Sequence, residues 1–145
     1  MRLLLLSLVG LCLAGAPAVA QSGFKVVVNG SNPASSLKAS EVSDIFLGKT
    51  ERWEGGFRAS PVDQPADSGA RGRFSKAVHN KDVNAIKKYW RKMVFSGLGN
   101  PPEELSSDAA VLDFVAHNVG AIGYVSAPAA LVDRVKVLKV TELKK

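Results

Sequence analysis

Short β-branched segments alternate along this chain with amphipathic helical patterns, and this alternation limits its fold more than any other feature. Strand patterns cover 24–29, 59–62, 120–125 and 135–140, and helical patterns cover 39–47, 69–79, 82–95 and about 106–118. Helices that connect successive strands carry the chain back along a sheet, so such strands pair mainly in parallel. No internal repeat or linker divides the pattern. We therefore expect one three-layer α/β/α domain with a mainly parallel central sheet.

The first 20 residues have the pattern of a cleaved signal peptide. A positive start is followed by an apolar run at 3–13 and by Ala-Val-Ala at 18–20, which matches a signal-peptidase site. The apolar run is too short to cross a bilayer, so we expect no stable membrane anchor. Removing residues 1–20 from the 145 leaves 125, which is enough for one domain, 21–145. We expect export to a bacterial periplasm.

The only cysteine, Cys12, lies within this predicted signal peptide. It raises the alternative of a lipoprotein, but Leu11 is bulky where lipid-attachment signals use a small residue. Cleavage after Ala20 removes the cysteine, so we expect an exported domain without disulfides.

Positive charge is in excess over the whole chain. The formal charge is +6, and loss of Arg2 with the signal peptide leaves +5. This excess suits an anionic ligand or surface. Nucleic acid is not expected as a partner, because no nucleic-acid motif is present and the protein is predicted to be exported. A metal site needs three or four ligands, and the two histidines, His79 and His117, are far apart in the sequence, so we expect no metal and no cofactor.

The loop between the strand at 59–62 and the helix at 69–79 has the features of an anion site. Ser68 is a good N-cap, and a helix N-terminus has unpaired N–H groups and a partial positive charge. Arg71 and Arg73 add full charges in the first turns. The same residues also fit a capped helix with solvated arginines. In parallel sheets, however, ligands bind beyond the carboxyl ends of the strands, where this loop is expected.

A basic cluster follows on the helix at 82–95. It occupies another side of the helix from an apolar stripe that is expected in the core and consists of Val83, Ile86, Trp90, Met93 and Val94. The members of the basic cluster are Lys87, Lys88, Arg91 and Lys92. Such a cluster is usually a solvated helix face, and the alternative is a surface for an anionic partner. We expect no enzyme, because no nucleophile–base–orienter set occurs at a recognisable spacing.

Three segments together resemble the phosphate-binding proteins of ABC transporters. They are a helix ending in IF-x-G-K before Trp53, the loop 61–74 with its Ser-Gly and a following Phe, and the strand GAIGYV at 120–125. The segments occur in the family's order. The resemblance implies one lobe of a type II periplasmic binding protein, since full-length members have two lobes that close on phosphate.

The resemblance also implies a site for phosphate or a related oxyanion at four loop residues: Ser68, Gly69, Ala70 and Arg71. Ala70 stands where the family has Thr, and Gln64 and Ala66 stand where it has Arg and Asp. We infer that Arg71 replaces the lost guanidinium. Nearby carboxylates would oppose phosphate unless they accept its proton; these are Asp63 and Asp67.

Together with the signal pattern, the resemblance implies an exported solute-binding-type protein for transport or sensing, with an ABC transporter, a sensor or a porin as partner. The few contacts of one open lobe support roughly millimolar binding after the cost of association. Tighter binding would need a second lobe, from a homodimer or from another protein. The alternative function is an interaction module that kept the lobe and lost its ligand.

Overall fold

The computed structural model describes residues 23–145, so the predicted signal peptide at 1–20 and its cysteine lie outside the described residues. The strands are β1 Phe24–Asn29, β2 Ser36–Lys38, β3 Ser60–Asp63, β4 Glu103–Glu104, β5 Ala121–Ser126, β6 Val135–Val137 and β7 Lys139–Thr141. The helices are α1 Ala39–Phe46, α2 Gly69–Phe74, α3 Val83–Phe95 and α4 Asp108–His117. Within this part of the chain, none of the helices combines the length and the apolar character that a membrane span requires.

The main sheet of the described region has the strand order β4-β3-β5-β1-β6. β3 pairs in parallel with both β4 and β5, whereas β1 is antiparallel to both β5 and β6. Four of these five strands therefore run in one direction, and β1 runs against them. The mainly parallel sheet is confirmed, and the carboxyl ends of β3, β4 and β5 meet at one edge.

Helices cover both faces of this sheet, because β1 and β5 alternate apolar side chains between two cores. One core packs β1 and β5 against α1 and α2, and its largest fully buried side chains are those of Phe46, Phe74, Ile122 and Tyr124. The other packs them against α4 through Val27, Val111, Val115 and Val125. The three-layer architecture is confirmed. The rings of Phe74 and Tyr124 stack with centroids 4.1 Å apart, which fixes α2 on the sheet.

The helix predicted at 69–79 is present but changes its geometry partway. α2 continues as a π-helical turn, Ser75–His79, and Asn80 ends it in a left-handed conformation with φ of 55°. The turn brings the His79 ring to α1, where Nδ1 lies 2.7 Å from the Ser43 hydroxyl.

α3 confirms the helix predicted at 82–95, and the Asp82 carboxylate caps it by accepting the Ala85 N–H at 2.8 Å. The expected apolar stripe is only partly buried, however. Ile86 and Trp90 pack on Leu47, whereas Val94 is 49% exposed. The stripe prediction was wrong at its end because the last turn of α3 extends beyond this small cluster.

The C-terminal strand differs from its prediction. The sequence pattern indicated one edge strand over 135–140, but Leu138 divides it into β6 and β7. The Leu138 side chain is buried, and its N–H donates to the Val26 carbonyl in register with the β1–β6 pairing. The next N–H, of Lys139, donates to the Ser35 carbonyl beside β2. β2 and β7 then form a separate parallel pair. Neither β2 nor β4 was predicted, because three and two residues carry no periodicity.

Candidate functional site

A pocket of about 390 Å³ lies at the carboxyl ends of β3 and β5, beside the start of α2. Its lining comprises Gln64, Pro65, Asp67, Ser68, Gly69, Ala70, Arg73, Ser106, Asp108 and Ser126. Three of the four predicted site residues are therefore together in one pocket. The fourth, Arg71, is not among the lining residues.

Ser68 caps α2 as predicted. Its Oγ accepts the Arg71 backbone N–H at 3.4 Å and donates to Gln64 Oε1 at 2.8 Å. The first N–H groups of a helix have no acceptor within the helix, and here they belong to Gly69 and Ala70. These two amides are the backbone donors that the pocket can offer to an anion.

The Arg71 side chain is buried and bonded to the protein itself. Nη1 donates to the Gln64 carbonyl at 2.7 Å and to the Glu104 carboxylate, and Nη2 lies 3.5 Å from Asp63 Oδ2. This guanidinium, expected from the sequence to bind the oxyanion, instead contacts Asp63 and Glu104 and does not line the pocket. The physical reason is Asp63, whose buried carboxylate at the end of β3 needs a counter-charge.

Tyr124 and Gln64 extend this buried network towards the pocket. The Tyr124 hydroxyl donates to the Asp63 carboxylate and accepts the Gln64 N–H at 3.1 Å. Burial raises the pKa of Asp63, although the charge of Arg71 and the bond from Tyr124 oppose the rise. Burial, and then the charge of Asp63, raise the pKa of Tyr124, so the phenol stays protonated and remains a donor.

Asp108, the first residue of α4, places a carboxylate in the pocket wall. Oδ1 accepts from Gln64 Nε2 at 2.8 Å and from the Ser126 N–H at 3.1 Å, and Oδ2 accepts from the Ser126 hydroxyl. Partial burial raises the pKa of Asp108, but the bonds from Ser126 and Gln64 outweigh it and hold the pKa below its usual value of 3.8. Asp108 is therefore ionised at neutral pH.

Arg73 is the cation of the pocket. Its Nε donates to the Gly23 carbonyl at 3.1 Å, and a Cβ atom added at Gly69 would lie 3.3 Å from Arg73 Nη2. The guanidinium therefore lies beside the start of α2. The side chain is exposed, in contrast to the buried Arg71.

Sequence reasoning missed Asp108 and Ser126. Ser126 is the last residue of β5, which lies parallel to β3. Sites form at the carboxyl ends of parallel strands, so Ser126 could have been predicted if the strand order had been known. Asp108 follows two serines at a helix start, a pattern that indicates a cap and carries no sign of a site. Within residues 23–145, no group of three or more His, Cys, Asp or Glu side chains is arranged to hold a metal.

No known protein family and no characterised protein matches this sequence, but solved structures do match its fold. An ABC-type phosphate transport receptor from Vibrio cholerae aligns with a TM-score of 0.64 at 21% identity, over 83% of this chain and 47% of the receptor. A phosphate ABC transporter substrate-binding protein from Clostridium perfringens, solved with bound phosphate, aligns with a TM-score of 0.62 at 22% identity. The alignment covers 84% of this chain and 46% of that protein. PstS from Borrelia burgdorferi aligns with a TM-score of 0.65 at 11% identity, over 85% of this chain and 49% of PstS.

The chain thus spans about half the length of each of these structures. Identities this low carry the fold and no more. The likeness noted in the sequence is confirmed at that level: residues 23–145 have the fold of one lobe of a phosphate-binding receptor.

Proposed function

We propose that this protein is an exported solute-binding-type protein that binds phosphate, or a related oxyanion that carries a proton, in the pocket beside α2. One observation carries the proposal. Ser68, Gly69, Ala70 and Arg73 line one pocket at the carboxyl ends of parallel strands, where α2 begins. The fold around this pocket is one that phosphate receptors share.

In this site Gly69 and Ala70 donate their N–H groups to the oxyanion, and Arg73 supplies the positive charge. Each charge-assisted hydrogen bond contributes roughly 1.5–3 kcal/mol, and the helix end contributes about 0.3–1 kcal/mol. Arg71 acts indirectly. Its bond to the Gln64 carbonyl holds Gln64 in place, and the Gln64 side chain accepts a hydrogen bond from the Ser68 hydroxyl. This role replaces the direct contact expected from the sequence.

Two carboxylates in the pocket wall, Asp67 and Asp108, decide which oxyanion fits. A fully deprotonated anion such as sulfate meets only repulsion from them. Hydrogen phosphate can instead donate its proton to a carboxylate oxygen and gain a hydrogen bond. We therefore propose that the site prefers phosphate to sulfate.

The affinity of this lobe alone is expected to be of the order of millimolar, since the pocket is open and its cation is exposed. A second lobe that covers the pocket, from a homodimer or another protein, would exclude water and strengthen each contact. An ABC transporter is the first partner to test, because two of the similar structures are named for such transporters. Export rests on the signal pattern at 1–20, and N-terminal sequencing of the purified protein should find Gln21 first.

Calorimetry of the purified protein with phosphate and with sulfate tests the site. We expect heat from phosphate at millimolar concentration and an affinity roughly tenfold lower in Arg73→Gln, the loss of one exposed charge-assisted bond. Lys81→Gln removes an exposed charge away from the pocket and should leave binding unchanged. A folded protein that gives no heat with millimolar phosphate would contradict the proposal.

A further inference from the structure

The outer side of α3 carries charged and apolar residues that the oxyanion pocket does not use. Four cations on it are exposed, namely Lys87, Lys88, Arg91 and Lys92. At the end of the helix the Phe95 side chain is 94% exposed, and Leu98 in the following loop is 70% exposed. We call these six residues the α3 patch.

The charge of this region is not balanced locally. Residues 83–102 contain these four cations and no Asp or Glu, so the segment has a formal charge of +4 out of +6 for the whole chain. Within residues 23–145, no carboxylate lies within ion-pair distance of any of the four. Like charges four residues apart, such as Lys87 and Arg91, destabilise a helix. The cluster therefore works against the stability of α3.

Phe95 belongs to the same side of the helix as the cations. α3 packs on the body through Ile86 and Trp90, which together with Leu47 form a small cluster. Phe95 follows Arg91 by four positions and Lys92 by three, and residues at these spacings are neighbours on a helix surface. The patch is thus an exposed aromatic ring beside cations on the outer side of α3.

We propose that the α3 patch is a docking surface for an anionic lipid bilayer. Basic side chains around exposed aromatic and aliphatic groups are typical of segments that bind at the interface of an anionic membrane. Three of the four cations are lysines, which are depleted in protein–protein interfaces, where arginine is enriched. A symmetric contact with a second copy would bring two such clusters together and is opposed by their charge. The binding is peripheral, because a single phenylalanine and a leucine make no anchor.

Co-sedimentation of the purified protein with vesicles tests this surface. With equal parts of phosphatidylglycerol and phosphatidylcholine at low salt we expect binding, and with phosphatidylcholine alone we expect none. Each cation near an anionic surface raises the affinity for it about fivefold. The double variant Lys88→Gln/Arg91→Gln should therefore bind these vesicles about 25-fold more weakly than the wild type. Phe95→Ser should weaken binding about tenfold or more through lost apolar contact. All variants share one N-terminus, so any contribution of residues 1–22 is common to them.

Lys76→Gln/Lys144→Gln is the matched control, because it removes two exposed cations outside the patch. It should keep most of the wild-type binding. The proposal is overturned if the wild-type protein does not bind phosphatidylglycerol vesicles at low salt, or if both double variants lose affinity equally. A dimer in sedimentation analysis that Phe95→Ser abolishes would also overturn it, in favour of a second copy as the occupant.

Discussion

The Arg71 and Asp63 side chains form a buried ion pair in which Nη2 lies 3.5 Å from Oδ2, with 7% and 10% of the two side chains exposed. Arg71 belongs to α2 and Asp63 ends β3, so the pair holds the helix to the strand directly below the pocket. Glu104 of β4 adds a second carboxylate to the same guanidinium, although its own side chain is 53% exposed. The two carboxylates should therefore differ in how much they stabilise the protein.

Removing Arg71 should be severe. Arg71→Ala leaves the buried Asp63 without its counter-charge, a change that typically costs about 3–5 kcal/mol of unfolding free energy. Glu104→Gln breaks a half-exposed pair and should cost less than about 1 kcal/mol. Urea unfolding followed by circular dichroism measures both. Equal losses in the two variants would show that the buried pair stabilises the protein no more than the half-exposed pair does.

Gly123 lies where β5 passes closest to α4. A Cβ atom there would lie 2.6 Å from Val111 Cγ1 and 3.1 Å from Val62 Cγ2. Gly123→Ala should therefore force α4 away from the sheet and cost about 1–3 kcal/mol. Gly72 in α2 is the matched control, because a Cβ there meets nothing within 4 Å. Gly72→Ala should instead raise the unfolding free energy by roughly 0.5–1 kcal/mol. A lower unfolding free energy in that variant would show that an added methyl group is not tolerated at Gly72.

His79 should make the stability depend on pH. Burial, and then the charges of Arg71 and Lys49, lower the pKa of His79 from 6.5 to about 4. Between these pH values the unfolded chain binds a proton that the folded protein does not, so stability is lost as the pH falls from 6.5 towards 4. The full effect is about 3 kcal/mol, at about 1.4 kcal/mol for each pKa unit.

Urea midpoints measured across this pH range, for wild type and for His79→Gln, isolate that contribution. Glutamine keeps a hydrogen-bonding side chain near Ser43 but does not titrate. Asp63 has a raised pKa and titrates in both proteins, so it cancels in the comparison. The wild-type curve should fall more steeply below pH 6.5, and parallel curves would rule out the histidine as the cause.

Asp108 should control the choice between phosphate and sulfate. Asp108→Asn removes the negative charge that repels sulfate, while one amide oxygen remains to accept from Ser126. We expect sulfate to bind several-fold more tightly and the preference for phosphate to narrow. Competition between the two anions in calorimetry measures the ratio. Asp113→Asn, an exposed change elsewhere on α4, is the control and should leave the ratio unchanged.

The sequence predicted long elements well because their local signals agree. Ser68, Asp82 and Ser107 each precede a helix and accept a first-turn N–H in the structure. Gly48 ends α1 with φ of 71°, as expected of a glycine after a helix. Elements that depend on distant partners were missed or wrong. Leu138 still bonds to Val26 of β1, and only from Lys139 onwards does the chain pair with β2 instead.

In the candidate site, too, local features were predicted and contacts between distant residues were not. Ser68, Gly69 and Ala70 adjoin in sequence, and the helix start that brings them together was visible there. The orientation of Arg71 depends on Asp63 and on Glu104, and Glu104 lies 33 residues away. Asp108 and Ser126 enter the pocket only through the pairing of β3 with β5. No single-sequence pattern encodes such contacts, and they determine which arginine faces the pocket.

The position of β1 has a consequence for how the chain acquires its structure. This first strand lies between β5 and β6, and its residues pair with partners about 100 positions later, as Phe24 does with Ser126. Closing so long a loop is slow, and the sheet cannot form around β1 until β5 and β6 have been synthesised. A growing chain therefore lacks its central sheet until Ser126 and the residues of β6 have been added, and a chain in that state can still be threaded through a narrow channel.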